Sequence, residues 1–396
     1  MDRGRRSLQA LNFFMADMQA GVGPFLGVFL LAHGWRSGWI GSVMTIGGVA
    51  GVLMAAPAGA WVDSSHHKRW LVVIPGACTV LASAVILLSQ AFWPIALSQV
   101  ATAIAGAAIG PAVSGITLGM FRQSGFARQT GINQAYNHAG NAVGAGLSGL
   151  LGWKLGLPAV FGLAVAFAIA SIASVLSIPR RSIDDRLARG LGDGEHSEAP
   201  ARGLSVLLGC KPLLVLAAAL AFFHLGNAAM LPLYGLAVVA AKQSNPATFV
   251  ASTIVVAQAT MVVASVAAIR LTHRRGLWLV LLISFVSLPI RGILAAHIIH
   301  AWGVFPVQIL DGVGAGLQSV AVPALVARIL NGTGRVNVGQ GAVMTAQGIG
   351  ASLSPAIGGW LAQLHGYGSA FLILGGFALP SVLIWIFFAS LLRPAE

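Results

Sequence analysis

Apolar runs of twenty or more residues recur along this chain of 396 residues, from Leu8 to Leu392. A helix of about 20 residues crosses a hydrocarbon core about 30 Å thick, so each run can span a membrane. Only 8% of the residues are charged, whereas soluble proteins carry about a quarter. The runs also lack the in/out alternation of barrel strands. The sequence therefore predicts an all-α protein with many membrane spans.

Turns, prolines and charges divide the apolar runs into twelve predicted spans. They cover residues 8–31, 37–62, 70–90, 92–120, 131–153, 157–178, 207–240, 247–269, 277–299, 302–328, 338–364 and 367–392. The stretch between spans six and seven is the only long hydrophilic one and holds five of the ten carboxylates. We therefore predict an N-terminal half of six helices at 1–178, a linker at 179–206 and a C-terminal half of six helices at 207–396.

The basic residues predict the orientation of the chain. Nineteen of the 23 Lys and Arg residues lie at the termini, in the even-numbered connections or in the central linker. The positive-inside rule places these segments in the cytoplasm, and we expect a bacterial inner (plasma) membrane. The net charge is +13, but its dispersal among short loops argues against binding of nucleic acid. Cys78 and Cys210 have no metal-like spacing, so neither a metal nor a cofactor is predicted.

The two halves repeat each other at a spacing of about 208 to 210 residues. Aligned pairs are Gln19 with Asn227, Pro24 with Pro232, Gly131 with Gly341, Gly140 with Gly350, Asn137 with Gln347 and Gly149 with Gly359. Because both halves begin on the cytoplasmic side, the predicted repeat is parallel, with its axis along the membrane normal.

Six plus six spans around a basic linker resemble the major facilitator superfamily over essentially the whole chain. The loop between spans two and three is similar to a signature of that superfamily, through Gly59, Asp63, Lys68 and Arg69. It departs from the signature at Ser64 and His66, where Arg and Gly are usual. The resemblance implies that this loop is a latch between conformations. The alternative is a basic loop that only sets the orientation of the chain.

Span five carries small residues that resemble the glycine pattern of proton-coupled antiporters in the superfamily. They are Gly140, Gly144 and Gly149, with Ala145 where proline is usual. Span eleven has a fuller version in Gly350, Pro355 and Gly359. The resemblance favours export, and the alternative is ordinary close packing of helices on small residues.

An ionisable side chain inside a membrane costs several kcal/mol and needs a partner, a cavity or a function. Asp17 in span one is our first candidate for a proton-coupling carboxylate, and Asp311 in span ten is the second. The alternative for Asp17 is a carboxylate hydrogen-bonded to backbone where glycines and a proline break the helix. His224 in span seven is a third candidate, because histidine titrates near neutral pH. Arg291 in span nine is expected to pair with Asp311, either as a structural clamp or as a switch for protons or substrate.

Neutral polar side chains are expected to line a substrate cavity, since a polar stripe facing lipid would be costly. Asn137 and Asn141 share one face of span five, beside His138. The full set of cavity candidates is Gln19, Gln99, Asn137, His138, Asn141, Asn227, Gln258, Gln347 and Arg291.

The motifs of other protein classes are missing from the sequence. It has no Walker lysine for ATP, no HExxH and no nucleophile elbow, so we do not expect an enzyme. We predict a secondary transporter, working as a monomer in the lipid bilayer, that couples efflux of a neutral or amphipathic small molecule to protons by alternating access. The alternatives are uptake of a small metabolite, export of a metal or its chelate by Asp17, His138 and His224, and a non-transporting sensor of the same fold.

Overall fold

The computed structural model describes residues 2–16, 22–184, 187, 209–330 and 336–392, and these residues form helices joined by short connections. The helices are α1 (Asp2–Ala16), α2 (Val22–Ala32), α3 (Ser37–Ser64), α4 (Trp70–Leu88), α5 (Phe92–Gly106), α6 (Ile109–Leu155), α7 (Pro158–Leu176), α8 (Lys211–Asn227), α9 (Met230–Ala240), α10 (Pro246–Arg275), α11 (Leu277–His297), α12 (Val304–Ile329), α13 (Val336–His365), α14 (Tyr367–Gly376), α15 (Ala378–Phe387) and α16 (Ala389–Leu392). Two 3₁₀ turns lie at Arg180–Ser182 and Ala301–Gly303.

The helices follow the predicted spans closely. Within the described part of the chain, nine helical stretches are long and apolar enough to cross a membrane, and a shorter apolar helix covers Gly23–Ala32. The described part of each predicted span falls on one helix or on consecutive helices, except that spans four and five share α6. The prediction of an all-α polytopic fold is therefore confirmed.

One predicted connection is wrong. The sequence analysis placed a loop between residues 120 and 131, but α6 continues through this stretch with a single break at Arg122 (φ 57°, ψ 176°). Residues 123–130 contain no proline. Gln129 also bonds to Asn133 one turn ahead, at 2.9 Å, which favours helix up to the start of span five. Spans four and five thus meet at a sharp kink rather than at a loop.

The chain forms two compact units. Unit 1 contains Met1–His33, Ile46–Glu198 and Pro246–Ala251, and unit 2 contains Gly34–Thr45, Ala199–Asn245 and Ser252–Glu396. Each unit therefore includes a short segment of a helix that otherwise belongs to the other unit: the start of α3 lies in unit 2 and the start of α10 in unit 1. The boundaries predicted at 178 and 206 stay a prediction, because most of that linker lies outside the described residues.

The core of unit 1 forms where α1 packs on α6 and α7. Leu8, Leu11 and Ile116 are fully buried there. In unit 2, α8 packs against α13, and α11 packs against α12 and α14. Trp278 and Trp385 tie α11 to α15, because each indole N–H donates to the other residue's carbonyl oxygen, at 3.1 and 2.9 Å.

Equivalent glycines allow equivalent helices to approach closely in the two units. A Cβ on Gly140 of α6 would lie 2.0 Å from the carbonyl oxygen of Phe13 in α1. A Cβ on Gly350 of α13 would lie 2.1 Å from the carbonyl oxygen of Ala221 in α8. No other residue fits either place without moving a backbone.

A second pair of glycines contacts the two short helix segments named above, the start of α10 in unit 1 and the start of α3 in unit 2. A Cβ on Gly149 would lie 2.5 Å from Cβ of Ala251, at the start of α10. A Cβ on Gly359 would lie 2.3 Å from the carbonyl oxygen of Ser37, at the start of α3. Ser37 also donates a hydrogen bond to the carbonyl of Gly359, at 3.0 Å. The glycine pattern of spans five and eleven thus serves as two packing faces, one within each unit.

Candidate functional site

A charged site lies inside unit 2, centred on Arg291 of α11. The guanidinium is only 1% exposed and donates to Oδ1 of Asp311 at 2.7 Å, forming the one ion pair found among the described residues. It also donates to Oδ1 of Asn227 at 2.7 Å and to Oε1 of Gln308 at 3.1 Å. Together with the neighbouring His224, we call these residues the Arg291 cluster. Three helices, α8, α11 and α12, contribute to it.

Helical spacing brings the polar side chains of α11 and α12 to one place. Ser284 and Arg291 lie seven residues apart on α11, and Gln318 lies seven residues after Asp311 on α12, so each pair is two turns apart on one face. Gln318 donates to Oγ of Ser284 at 2.9 Å, and Ser284 donates to the carbonyl of Gly314 at 3.0 Å. These bonds fix the register between the two helices that carry the ion pair.

Glycines on α12 hold this helix close to its neighbours. A Cβ on Gly312 would lie 2.6 Å from the carbonyl of Ala257 in α10, and a Cβ on Gly316 would lie 2.6 Å from that of Met261. The two glycines are four residues apart and therefore share a face. Asp311, directly before the first of them, is thereby held at a fixed depth beside Arg291.

Three polar nitrogen atoms of this region are buried and have no hydrogen-bond partner within the described residues. They are Nε of Arg291, Nε2 of Gln308 and Nε2 of His224. His224 interacts with the side chain of Gln318 and with the charge of Asp311. An unmet buried polar group costs about 1–3 kcal/mol. A water molecule or a ligand with acceptor oxygens would therefore be stabilised here.

The two partners of the ion pair differ in exposure. Asp311 is 14% exposed whereas Arg291 is 1% exposed, so the carboxylate is the more accessible partner. Removing one charge of a buried pair leaves the other uncompensated, which is strongly unfavourable. The pair is therefore expected to contribute to the packing of α11 against α12.

Unit 1 contains a row of neutral side chains instead, which we call the amide row: Asn12, Gln129, Asn133, Asn137 and Asn141. Gln129 donates to Asn133 at 2.9 Å, and Asn133 donates to Oγ1 of Thr117 at 3.0 Å. Asn137 donates to the carbonyl of Asn12, and Asn141 to Oδ1 of Asn137, both at 3.4 Å. Residues four apart on α6 thus form two hydrogen-bonded pairs, Gln129 with Asn133 and Asn137 with Asn141.

The structure brings together part of the set chosen from sequence. Asn227, Arg291 and Asp311 are in direct contact, and Asn137 contacts Asn141. The remaining candidates that the structure describes are half-buried side chains on separate helices: Gln99 on α5, His138 on α6, Gln258 on α10 and Gln347 on α13. Asp17 and Gln19 lie outside the described residues.

The basic loop between α3 and α4 binds backbone oxygen atoms of neighbouring helices. Lys68 is 2% exposed and donates to the carbonyl of Val62 at 2.8 Å. Arg69 donates to the carbonyls of Leu176 and Ile178, at 3.2 and 2.8 Å. Gly59 has no described atom within 4 Å of a Cβ position, and the side chain of Asp63 lies outside the described part. The latch role of this loop stays a prediction.

Sequence reasoning missed several polar residues of the two sites. Gln308 lies three residues before Asp311, so it shares a face of α12 with the ionisable residue, and this spacing could have identified it. Gln129 lies four residues before Asn133 in the same way, but it was assigned to a loop. Asn12 had no such signal, because its contact with Asn137 depends on how α1 packs against α6.

The metal alternative gains no support from these residues. Within the described part of the chain, no group of three or more His, Cys, Asp or Glu side chains could hold a metal ion. Asp17, the third residue of the predicted metal set, lies outside the described residues, so this alternative stays a prediction.

Comparisons with known proteins agree on the class of the molecule. The family model for the Major Facilitator Superfamily matches residues 8–336. An uncharacterized MFS-type transporter of Mycobacterium tuberculosis, found in strains CDC 1551 / Oshkosh and H37Rv, is 39% identical over 389 residues, which are 97% of this chain and 92% of the relative.

Solved structures share the fold at low sequence identity. The nucleoside transporter NupG is 14% identical, with a TM-score of 0.76 over 98% of this chain and 99% of that one. A bacterial homologue of the human lysosomal transporter Spinster is 15% identical, with a TM-score of 0.67 over 99% of this chain and 97% of that one. The relatives are transporters rather than enzymes, as the sequence predicted. This multi-pass integral membrane protein therefore belongs to the Major Facilitator Superfamily and is a secondary transporter of small molecules.

Proposed function

We propose that the protein is a proton-coupled exporter of a neutral or amphipathic small molecule, and that Asp311 carries the proton. The observation behind the proposal is the buried ion pair between Asp311 and Arg291, at 2.7 Å. When Asp311 binds a proton, Arg291 loses its counter-charge and a strong interaction between α11 and α12 weakens. Proton binding is thereby linked to the energy of a helix contact, which a coupled transporter needs.

The unmet donors of the Arg291 cluster support a substrate that carries carbonyl, ether or hydroxyl oxygen atoms. Nε of Arg291 and Nε2 of Gln308 are buried and unpaired among the described residues. A substrate oxygen would satisfy them, at a gain of about 1–3 kcal/mol for each donor. Export as the direction is supported by the glycine pattern of spans five and eleven, through its resemblance to proton-coupled antiporters.

The test is transport by the purified protein in liposomes that contain a pH-sensitive dye. A panel of amphipathic compounds is applied to the wild type, to Asp311→Asn and to the double variant Asp311→Asn/Arg291→Gln. The double variant removes both charges and keeps hydrogen-bonding groups, so it is expected to fold where the single variant is strained. Asp17→Asn is run alongside, because Asp17 is the other acidic candidate.

The expected result is substrate-evoked proton flux in the wild type and none in a folded double variant. Proton flux that persists in the double variant and disappears in Asp17→Asn would assign the proton to Asp17 and contradict the role of Asp311. Movement of radiolabelled substrate without any proton flux in the wild type would contradict coupling itself.

Uptake of a polar metabolite is a second candidate, favoured by the amide row of unit 1. Amide side chains offer both donors and acceptors to a hydroxyl-rich compound, and one solved structure of this fold is a nucleoside transporter. A substrate panel that includes nucleosides, with the pH gradient imposed in either direction, separates the candidates. Accumulation of a polar solute driven by inward proton movement would favour uptake and contradict export.

A further inference from the structure

A cavity of about 180 Å³ opens beside the start of α4, and none of its lining residues belongs to the Arg291 cluster. Its lining consists of His66, His67, Lys68, Arg69, Trp70, Arg180 and Ile183. All seven belong to unit 1, and of these seven lining residues none carries a carboxylate. Five of them can carry positive charge, so the cavity concentrates cationic groups from the loop before α4 and from the 3₁₀ turn after α7.

Two arginines in this cavity repel each other. The pKa of the Arg69 guanidinium lies below its usual value, first because of partial burial and then because of the nearby charge of Arg180. Arg69 is held in place by its hydrogen bonds to the carbonyls of Leu176 and Ile178. Arg180 is exposed. Like charges kept together at a fixed site would be relieved by a bound anion.

We propose that this cavity binds a phosphate group, carried by an anionic lipid or by a free phosphate ion. Arginine matches phosphate geometry with paired N–H donors, and two arginines and two histidines face the same space. The cavity also lies at the N-terminal end of α4, where the helix dipole favours negative charge. Trp70, 49% exposed, places the cavity beside a side chain that favours the membrane–water interface.

This assignment goes beyond transport, because none of the residues of the Arg291 cluster takes part. It also gives the basic loop a chemical role besides setting the orientation of the chain. A lipid bound there would hold the loop before α4 and the turn Arg180–Ser182 together through one shared anion.

The experiment measures thermal unfolding of the purified full-length protein in detergent. The added probes are phosphatidylglycerol, zwitterionic phosphatidylcholine and inorganic phosphate. The variants are Arg180→Gln, which removes one charge from the cavity, and Arg180→Lys, which keeps it. The matched control is Arg274→Gln, which removes another exposed charge, at the end of α10 and outside the cavity.

We expect phosphatidylglycerol or phosphate to stabilise the wild type more than phosphatidylcholine does. Arg180→Gln is expected to weaken this binding about fivefold, whereas Arg180→Lys and Arg274→Gln retain it. Stabilisation by the lipid alone identifies a headgroup as the source, and stabilisation by both probes identifies the phosphate group itself. No stabilisation by either probe would overturn the proposal. An equal loss of binding in Arg274→Gln would also overturn it, because it would indicate a general attraction of anions to the basic surface.

Discussion

The amide row of unit 1 and the Arg291 cluster of unit 2 occupy repeat-related halves of the chain but differ in charge. The amide row bonds neutral groups to one another along α6. The Arg291 cluster has a fully buried cation paired with a carboxylate. The second site therefore holds ionisable groups where the first holds amides. The repeat-related halves thus differ in chemistry, with neutral amides in one and a buried ion pair in the other.

The difference also appears in how each site is stabilised. In the amide row, Gln129 bonds to Asn133 and Asn141 to Asn137 at a spacing of four residues within α6, and Asn137 bonds to the backbone of Asn12 in α1. Arg291 instead binds side chains from α8 and α12. The charged site therefore depends on the packing of three helices, and it should respond more strongly to change than the neutral one.

The largest effect is expected from Asp311→Asn. It leaves Arg291 buried without a counter-charge, which should lower the free energy of unfolding by about 3–5 kcal/mol. Thermal or denaturant unfolding in detergent measures this, with Asp311→Asn/Arg291→Gln recovering much of the loss. A single variant as stable as the wild type would show that the pair contributes no strong contact and would remove the contrast between the units.

The next largest loss of stability is expected where a glycine touches a neighbouring helix, and an open glycine on the same helix serves as the control. Gly350→Ala should destabilise unit 2 by about 1–3 kcal/mol, because the added methyl group meets the backbone of Ala221. Gly341→Ala, nine residues earlier on α13, should be neutral or slightly stabilising, since no described atom lies within 4 Å of its Cβ position.

The same comparison applies to unit 1. Gly140→Ala should destabilise it about as much as Gly350→Ala destabilises unit 2, whereas Gly131→Ala should not. Unfolding temperatures of the four variants check this. Equal effects at the crowded and the open positions would contradict close helix contact as the purpose of the glycine pattern.

A smaller effect is expected in the amide row. Asn133→Ala removes the acceptor for Gln129 and a donor to Thr117, and should cost about 1–2 kcal/mol. Asn141→Ala should cost less, because its side chain is half-buried and its bond is 3.4 Å long. If Asn133→Ala lowered the free energy of unfolding as much as Asp311→Asn does, the amide row would contribute as much to stability as the Arg291 cluster, contrary to this expectation.

Much of the fold could be predicted because its constraints are local or periodic. Apolar length fixes the spans, and the ion pair between Arg291 and Asp311 follows from the high cost of burying either charge alone. The helical stretch at 123–130 could not be predicted in this way, since its polar residues resemble a loop until Thr117 is seen to face Asn133.

The contacts of the candidate sites were harder to foresee than the residues themselves. Asn227 was selected by its alignment with Gln19, but its bond to Arg291 depends on the approach of α8 to α11. The place of Ser37 beside Gly359 likewise comes from packing between distant parts of the chain. Sequence periodicity identifies a face of one helix, and it does not say which other helix covers that face.

The open glycines on α6 and α13 offer equivalent attachment points for spectroscopic labels. Gly131 and Gly341 are both exposed, and a side chain at either position meets no described atom within 4 Å. The natural chain has only two cysteines, Cys78 and Cys210, so two substitutions give a background free of thiols. Paired spin or fluorescent probes at these glycines could then record the distance between the repeats during a transport cycle without disturbing the crowded helix contacts nearby.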